Sequence, residues 1–190
     1  MERVCYENDI EPMLDNLGYS GKLAVGSETR KDGVAIFYKR EKFNLKEYRP
    51  LLLNDLAKEQ SPGLLQLLRN AGACAMVLES GGNFSHSSQP DLQEKSILVC
   101  TAHISNHYWQ PDIPCFEIGV LIKKLTEISS DGIVFCGDFN SQPTSPMYKI
   151  LSKGKINKEE LSNCPLYKET SVEEMWKHNV TVWKVGSVLV

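Results

Sequence analysis

A chain of 190 residues that is 42% hydrophobic and 24% charged carries enough apolar material for one core, so a single globular domain is expected and wholesale disorder is excluded. Its net charge of −3 and isoelectric point near 5.8 argue against coating long nucleic acids, because that affinity comes from many Lys and Arg contacts. A strand end or small phosphate needs only a few donors or a metal ion. No run reaches the roughly 18 apolar residues of a membrane span, and the start MERVCYENDI lacks a secretory leader's basic and apolar regions. A cytoplasmic chain with no membrane partner is expected, with the nucleus as a second location.

In chain order, Tyr6, Ile10, Met13, Leu14 and Leu17 recur at helical spacing and stop at Gly18, which predicts an amphipathic helix ended by glycine. A short strand is expected at 23–25 and a turn at 29–33. The run 34–38 is an apolar strand too continuous for a half-exposed one, with 43–48 as its neighbour in a hairpin or meander. Leu64, Leu65, Leu67 and Leu68 suit a short helix, 73–78 a small-residue strand, and 81–94 a polar loop. Residues 97–101 read as a buried strand, Ile118, Leu121, Ile122, Leu125 and Ile128 as a helix face, and 133–136 as a second buried strand; this order predicts a layered α/β domain. A charged helical piece at 158–161 and a β-prone run at 179–190 complete the chain, whose apolar last residues suggest a domain cut short. The cysteines, Cys5, Cys74, Cys100, Cys115, Cys136 and Cys164, form no CxxC pair and read as reduced core residues.

Chemistry concentrates where the two buried strands end. In Gly137-Asp138-Phe139-Asn140 glycine lets the backbone turn at a sheet edge, while Asp138 and Asn140, two residues apart, point to one side. A carboxylate there can orient a water or help hold a cation, and a carboxamide can donate to a phosphoryl oxygen. The same letters also suit a plain turn closing a strand. The following Ser-Gln-Pro-Thr-Ser-Pro-Met-Tyr stretch, with Pro146 suited to a first helical turn, favours the functional reading. His103 ends the other strand and would emerge beside Asp138 if the strands are neighbours; otherwise it satisfies a strand-end carbonyl. Asp32 and Lys39 flank the run 34–38 and are substrate-binding candidates, although a charged turn leading into a strand is the commoner meaning.

Asp32-Gly33-Val34-Ala35-Ile36-Phe37-Tyr38-Lys39, the strand into His103, and Gly137-Asp138-Phe139-Asn140-Ser141-Gln142-Pro143 occur in an order similar to the deadenylase-related branch of the endonuclease/exonuclease/phosphatase superfamily, which includes nocturnin and the angel proteins. Glu11-Pro12-Met13-Leu14-Asp15-Asn16-Leu17-Gly18-Tyr19 and the stretch from Ser145 to Asn157 resemble angel proteins in particular. The resemblance covers residues 4–163 of one partial domain, leaving 167–190 unassigned. It implies a four-layered α/β sandwich of the deoxyribonuclease-I-like kind, incomplete at both termini, that uses Mg²⁺ to cleave phosphoesters at RNA 3′ ends as a deadenylase, exoribonuclease or 2′,3′-cyclic phosphatase. Asp138 would activate the attacking water, Asn140 would support the phosphate and His103 would contact the phosphoryl group.

The sequence also departs from that pattern. Alignment puts the family's metal-binding Glu just before Met1, with Glu2 as a substitute only if the register slides by two residues, and nothing after Leu166 matches the C-terminal motif bearing a catalytic His. The metal ligands are therefore unassigned, and the 190-residue chain is expected to show little Mg²⁺-dependent activity. A non-catalytic RNA- or protein-binding relative, or a phosphatase of another branch, are the alternatives.

Overall fold

The computed structural model describes residues 2–26, 32–60, 71–81, 95–107, 109–154 and 156. The first three residues of the expected turn at 29–33, the helix around 64–68, all but the first residue of the loop at 81–94, the helical piece at 158–161, the run at 179–190 and Cys164 lie outside the described residues. Two compact units are present. One comprises Met1–Leu51, Gly72–Ala102 and Ile128–Cys136, the other Leu52–Ala71, His103–Glu127 and Gly137–Val190.

The first unit opens on a continuous helical segment: α1 (Arg3–Cys5), a π-helical stretch (Tyr6–Ile10) and α2 (Glu11–Asn16). Pro12 lacks the N–H that an α-helix would use at that position, and local widening is one way a helix accommodates the loss. The segment stops where expected: Gly18 adopts φ 82, and its N–H donates to the Asp15 carbonyl at 2.9 Å. Only part of the predicted apolar stripe is used. Tyr6 is buried and stacks on Phe37 with ring centroids 5.6 Å apart, whereas Met13 and Leu17 are more than half exposed.

Strands β1 (Tyr19–Val25) and β2 (Gly33–Lys39) form an antiparallel pair with Tyr19 opposite Lys39 and Val25 opposite Gly33. The second sheet has the order β3 (Phe43–Leu52), β4 (Gly72–Ser80), β5 (Ser96–His103), β6 (Gly132–Asp138). The sheets share a core of Ala24, Ile36, Cys74, Met76 and Leu78, lined by Phe43, Leu45, Tyr48 and Val99. The Tyr48 hydroxyl crosses it to donate to the Leu23 carbonyl at 2.8 Å. Burial of such side chains stabilises by about 1.5–3 kcal/mol for each large one. It also pushes the Cys74 thiol up to about 12 and raises that of Cys100.

Two expectations need correction. Residues 43–48 do not pair with β2. The chain turns after Lys39, where Lys42 N–H donates to the Lys39 carbonyl and the Arg40 side chain binds Asp15 and the Asp15 and Tyr19 carbonyls, and β3 joins the other sheet. The run 34–38 is buried at Ile36 and partly buried at its other positions, with Val34 and Tyr38 packed on the core and Phe37 stacked on Tyr6. The run 133–136, by contrast, is not buried: β6 is the last strand of its sheet among the described residues, and Cys136, like Cys5, is exposed rather than in the core. The continuous burial expected of an inner strand belongs to β4, buried from Gly72 to Leu78.

β4 and β5 are antiparallel, with Ala73 opposite Ala102 and Glu79 opposite Ser96. β5 and β6 run the same way: Asp131 N–H donates to the Ser96 carbonyl at 3.1 Å near their starts, and Ile104 N–H to the Asp138 carbonyl at 2.9 Å near their ends. The Asp131 carboxylate adds a clip, accepting from the Ser96 N–H and hydroxyl at 2.7 and 3.0 Å, and those bonds hold its carboxyl below the usual range.

In the second unit, α3 (Leu53–Gln60) buries Leu53, Leu56 and Ala57. The helix α4 (Asp112–Thr126) buries Ile113, Phe116, Ile118, Val120, Leu121 and Leu125 and packs against α3 and α5 (Pro146–Lys153). Ile122 is only partly buried, and Ile128 lies past the helix end. The last residue of β5, His103, and the last two of β6, Gly137 and Asp138, belong to this unit.

Candidate active site

Where β5 and β6 end side by side, the local sequence dictates a sharp exit. Gly137 adopts φ 145, a conformation open to a residue without Cβ, and Asn140 adopts φ 45. Asn140 is suited to that left-handed position because its polar neighbours bond locally: its N–H donates to Asp138 Oδ1 at 2.9 Å, closing an Asx-type turn. Its side chain reaches across to the next strand, Nδ2 donating to the Ile104 carbonyl at 2.8 Å. Together with the Ile104 N–H to Asp138 carbonyl bond, this stitches the two strand ends. From there the chain passes to α5, where Ser145 caps the helix by accepting from the Tyr148 N–H and shares a hydrogen bond with Ser141, with Pro146 in the first turn.

Asp138 Oδ1 is thereby committed. Oδ2 faces His103, whose Nε2 lies 3.9 Å away, and both side chains are solvent-exposed, 45% for His103 and 68% for Asp138. That separation is too long for a direct hydrogen bond and suits one bridging oxygen, whether of water or of substrate. A carboxylate able to accept a proton and an imidazole able to give one therefore flank one small space.

The structure thus brings Asp138, Asn140 and His103 together. Asp32 and Lys39 are in the other compact unit, at opposite ends of β2 and about 23 Å apart at the strand rise. Asp32 forms a backbone bridge with Glu2, while the Lys39 ammonium lies 3.7 Å from Glu41 and 5.5 Å from the Tyr19 ring.

For a metal, the donor set is sparse. Among the described residues no group of three or more His, Cys, Asp or Glu side chains is placed to hold a metal ion, and the carboxylate beside His103 there is that of Asp138. Mg²⁺ is held by one or two carboxylates, with waters and substrate phosphates completing its shell. Asp138 fits as one such ligand.

One pair at this site escaped sequence reasoning. Glu117, fully buried on α4, accepts from the Ser105 N–H at 2.9 Å and the Ser105 hydroxyl at 2.6 Å. A signal existed: Glu117 follows Ile113 by four residues and precedes Val120 and Leu121 by three and four, so it sits on the helix's apolar face.

No family model matches the chain. It is 28% identical over 167 residues to protein angel homolog 2 of Bos taurus, covering 83% of this chain and 28% of that one. To 2′,5′-phosphodiesterase 12 of Homo sapiens it is 26% identical over 170 residues, covering 82% and 27%. The chain therefore spans little more than a quarter of the length of these curated relatives. Among solved structures, ANGEL2, a 2′,3′-cyclic phosphatase in complex with adenosine-2′,3′-vanadate, matches with a TM-score of 0.66 and 27% identity over 83% of this chain and 43% of that one. The human nocturnin catalytic domain with bound sulfate matches with a TM-score of 0.58 at 21% identity, over 77% and 52%, a likeness of fold. The mixed sheet with helices is thus the deoxyribonuclease-I-like α/β fold of these neighbours.

Proposed function

We propose that the chain, similar to angel homolog 2 and 2′,5′-phosphodiesterase 12 in sequence and to ANGEL2 in structure, belongs to the nocturnin and angel branch of the endonuclease/exonuclease/phosphatase superfamily and hydrolyses phosphoesters at RNA 3′ ends, as a Mg²⁺-dependent phosphoesterase of the 2′,3′-cyclic phosphatase or deadenylase type. The observation that carries this reading is the 3.9 Å separation of His103 Nε2 and Asp138 Oδ2 at an open edge. In it Asp138, with Oδ1 held by the Asn140 N–H, presents Oδ2 to orient a water and draw off its proton as the new P–O bond forms and the bond from phosphorus to the departing ribose oxygen breaks, that oxygen taking a proton from solvent. His103, when protonated, sets positive charge against a phosphoryl oxygen. Asn140 gives one amide hydrogen to Ile104 and keeps a second for the phosphate. Mg²⁺, with Asp138 as a ligand, would neutralise charge on the phosphoryl oxygens.

The test is phosphate release from a short RNA bearing a 2′,3′-cyclic end, and shortening of a 3′-hydroxyl oligoadenylate, with and without Mg²⁺. The expected result is slow turnover that EDTA removes and that Asp138→Ala lowers by about 100-fold or more, as loss of one member of a cooperating set does. A second reading is a non-catalytic module that binds RNA ends, for which Asp138 is the carboxylate paired with His103 among the described residues. Retention of the RNA without phosphate release or shortening would establish that reading and overturn the first.

A further inference from the structure

The segment that follows His103 has its hydrogen bonds divided between two elements. Ile104, fully buried, spends its N–H on the Asp138 carbonyl and its own carbonyl on Asn140 Nδ2, so one side is tied to the end of β6. Ser105, also buried, turns to α4 and gives both its N–H and its hydroxyl to the two oxygens of Glu117. A carboxylate with no solvent exposure is costly to place in a helix face unless its lone pairs are met, and here it meets the backbone two residues past the candidate catalytic imidazole.

We infer that Glu117 is a positioning residue for the candidate active site: through Ser105 it anchors the backbone that presents His103 to Asp138. In its activity arm this rests on the phosphoesterase reading above. The claim is specific about chemistry. Glutamine can keep both bonds, its carbonyl accepting from the Ser105 N–H and its amide donating to a hydroxyl that turns round. Leucine fills the volume and keeps neither, and Ser105→Ala removes only the hydroxyl bond.

The experiment compares the wild-type chain with Glu117→Gln, Glu117→Leu and Ser105→Ala by three readouts: the ring resonances of His103 in a histidine-labelled sample, the hydrogen exchange of the Ser105 amide, and kcat and KM on the cyclic-phosphate RNA with Mg²⁺. Circular dichroism verifies that each variant is folded. Glu117→Gln should match wild type in all three. Ser105→Ala should shift the His103 resonances with slow Ser105 exchange kept. Glu117→Leu should shift them further, speed Ser105 exchange by about tenfold or more, and lower kcat by about 10- to 100-fold with KM little changed, the size of effect that a displaced catalytic group produces. Unmoved His103 resonances in folded Glu117→Leu, or in Ser105→Ala should the leucine variant not fold, would overturn the inference. So would a glutamine variant as damaged as leucine. Because the resonances and exchange are read without substrate, they decide the positioning claim even if the wild-type chain turns over no RNA.

Discussion

Asn140 bears two loads that a side chain at φ 45 seldom combines. It tolerates a left-handed backbone and supplies the donor that satisfies the Ile104 carbonyl. Alanine would lose the bond and add strain, because it occupies this region at a higher cost than asparagine; glycine would lose the bond without that strain. Asn140→Ala should therefore cost about 2 kcal/mol of unfolding free energy and Asn140→Gly about 1, taking roughly 1 kcal/mol for the hydrogen bond and a similar amount for a Cβ in that region. Urea unfolding followed by circular dichroism measures both. If glycine proves as costly as alanine, backbone strain plays no part at this position. The two loads also explain why Gly137-Asp138-Phe139-Asn140 was readable both as a strand-closing turn and as a site: the same amide and carboxylate build the turn and face solvent beside His103.

Strands β4, β5 and β6 all present apolar runs to the reader of the sequence, yet they sit in different surroundings, and cysteine reports the difference. Cys74 and Cys100 are buried on β4 and β5, and burial raises their thiols; Cys136 lies on the exposed β6 and Cys5 on the exposed start of the first helix. Alkylation at pH 8 should mark Cys5 and Cys136 within minutes and spare Cys74, Cys100 and the buried Cys115 until denaturant is added, as mapped by peptide mass. Rapid labelling of Cys100 in the folded chain would mean that β5 and β6 separate readily. Strand positions were legible because β-prone runs end in polar residues, and for that reason His103 and Asp138 could be expected at one edge. Strand partners were not, since period-two alternation says which side of a strand is apolar but not which sheet receives it; hence β3 pairs with β4 rather than β2. Nor could exposure at β6, the last strand of its sheet among the described residues, be read, because exposed and inner strands can share one composition. Glu117 was the opposite case, a charge on an apolar helix stripe, visible in the letters and passed over.

For the molecule as a whole, the chain spans under a third of angel homolog 2 and of 2′,5′-phosphodiesterase 12, while the elements it holds place His103, Asp138 and Asn140 at one edge. How that edge is put together in time follows from the clamp on Ser105. Glu117 lies 12 residues from Ser105, whereas Asn140 lies 36 from Ile104. Closing a loop three times longer costs about 1 kcal/mol more in chain entropy, so the tie to α4 should form first and the tie to β6 afterwards. Asp138 would then be the late arrival at a histidine already in place. In denaturant-jump kinetics Ser105→Ala should chiefly slow folding, whereas Asn140→Gly should chiefly speed unfolding; the reverse pattern would show the strand ends pairing before the helix docks. With this order, the imidazole is anchored while the carboxylate that completes the pair is still free, and the candidate site comes into being only with the later of these two closures.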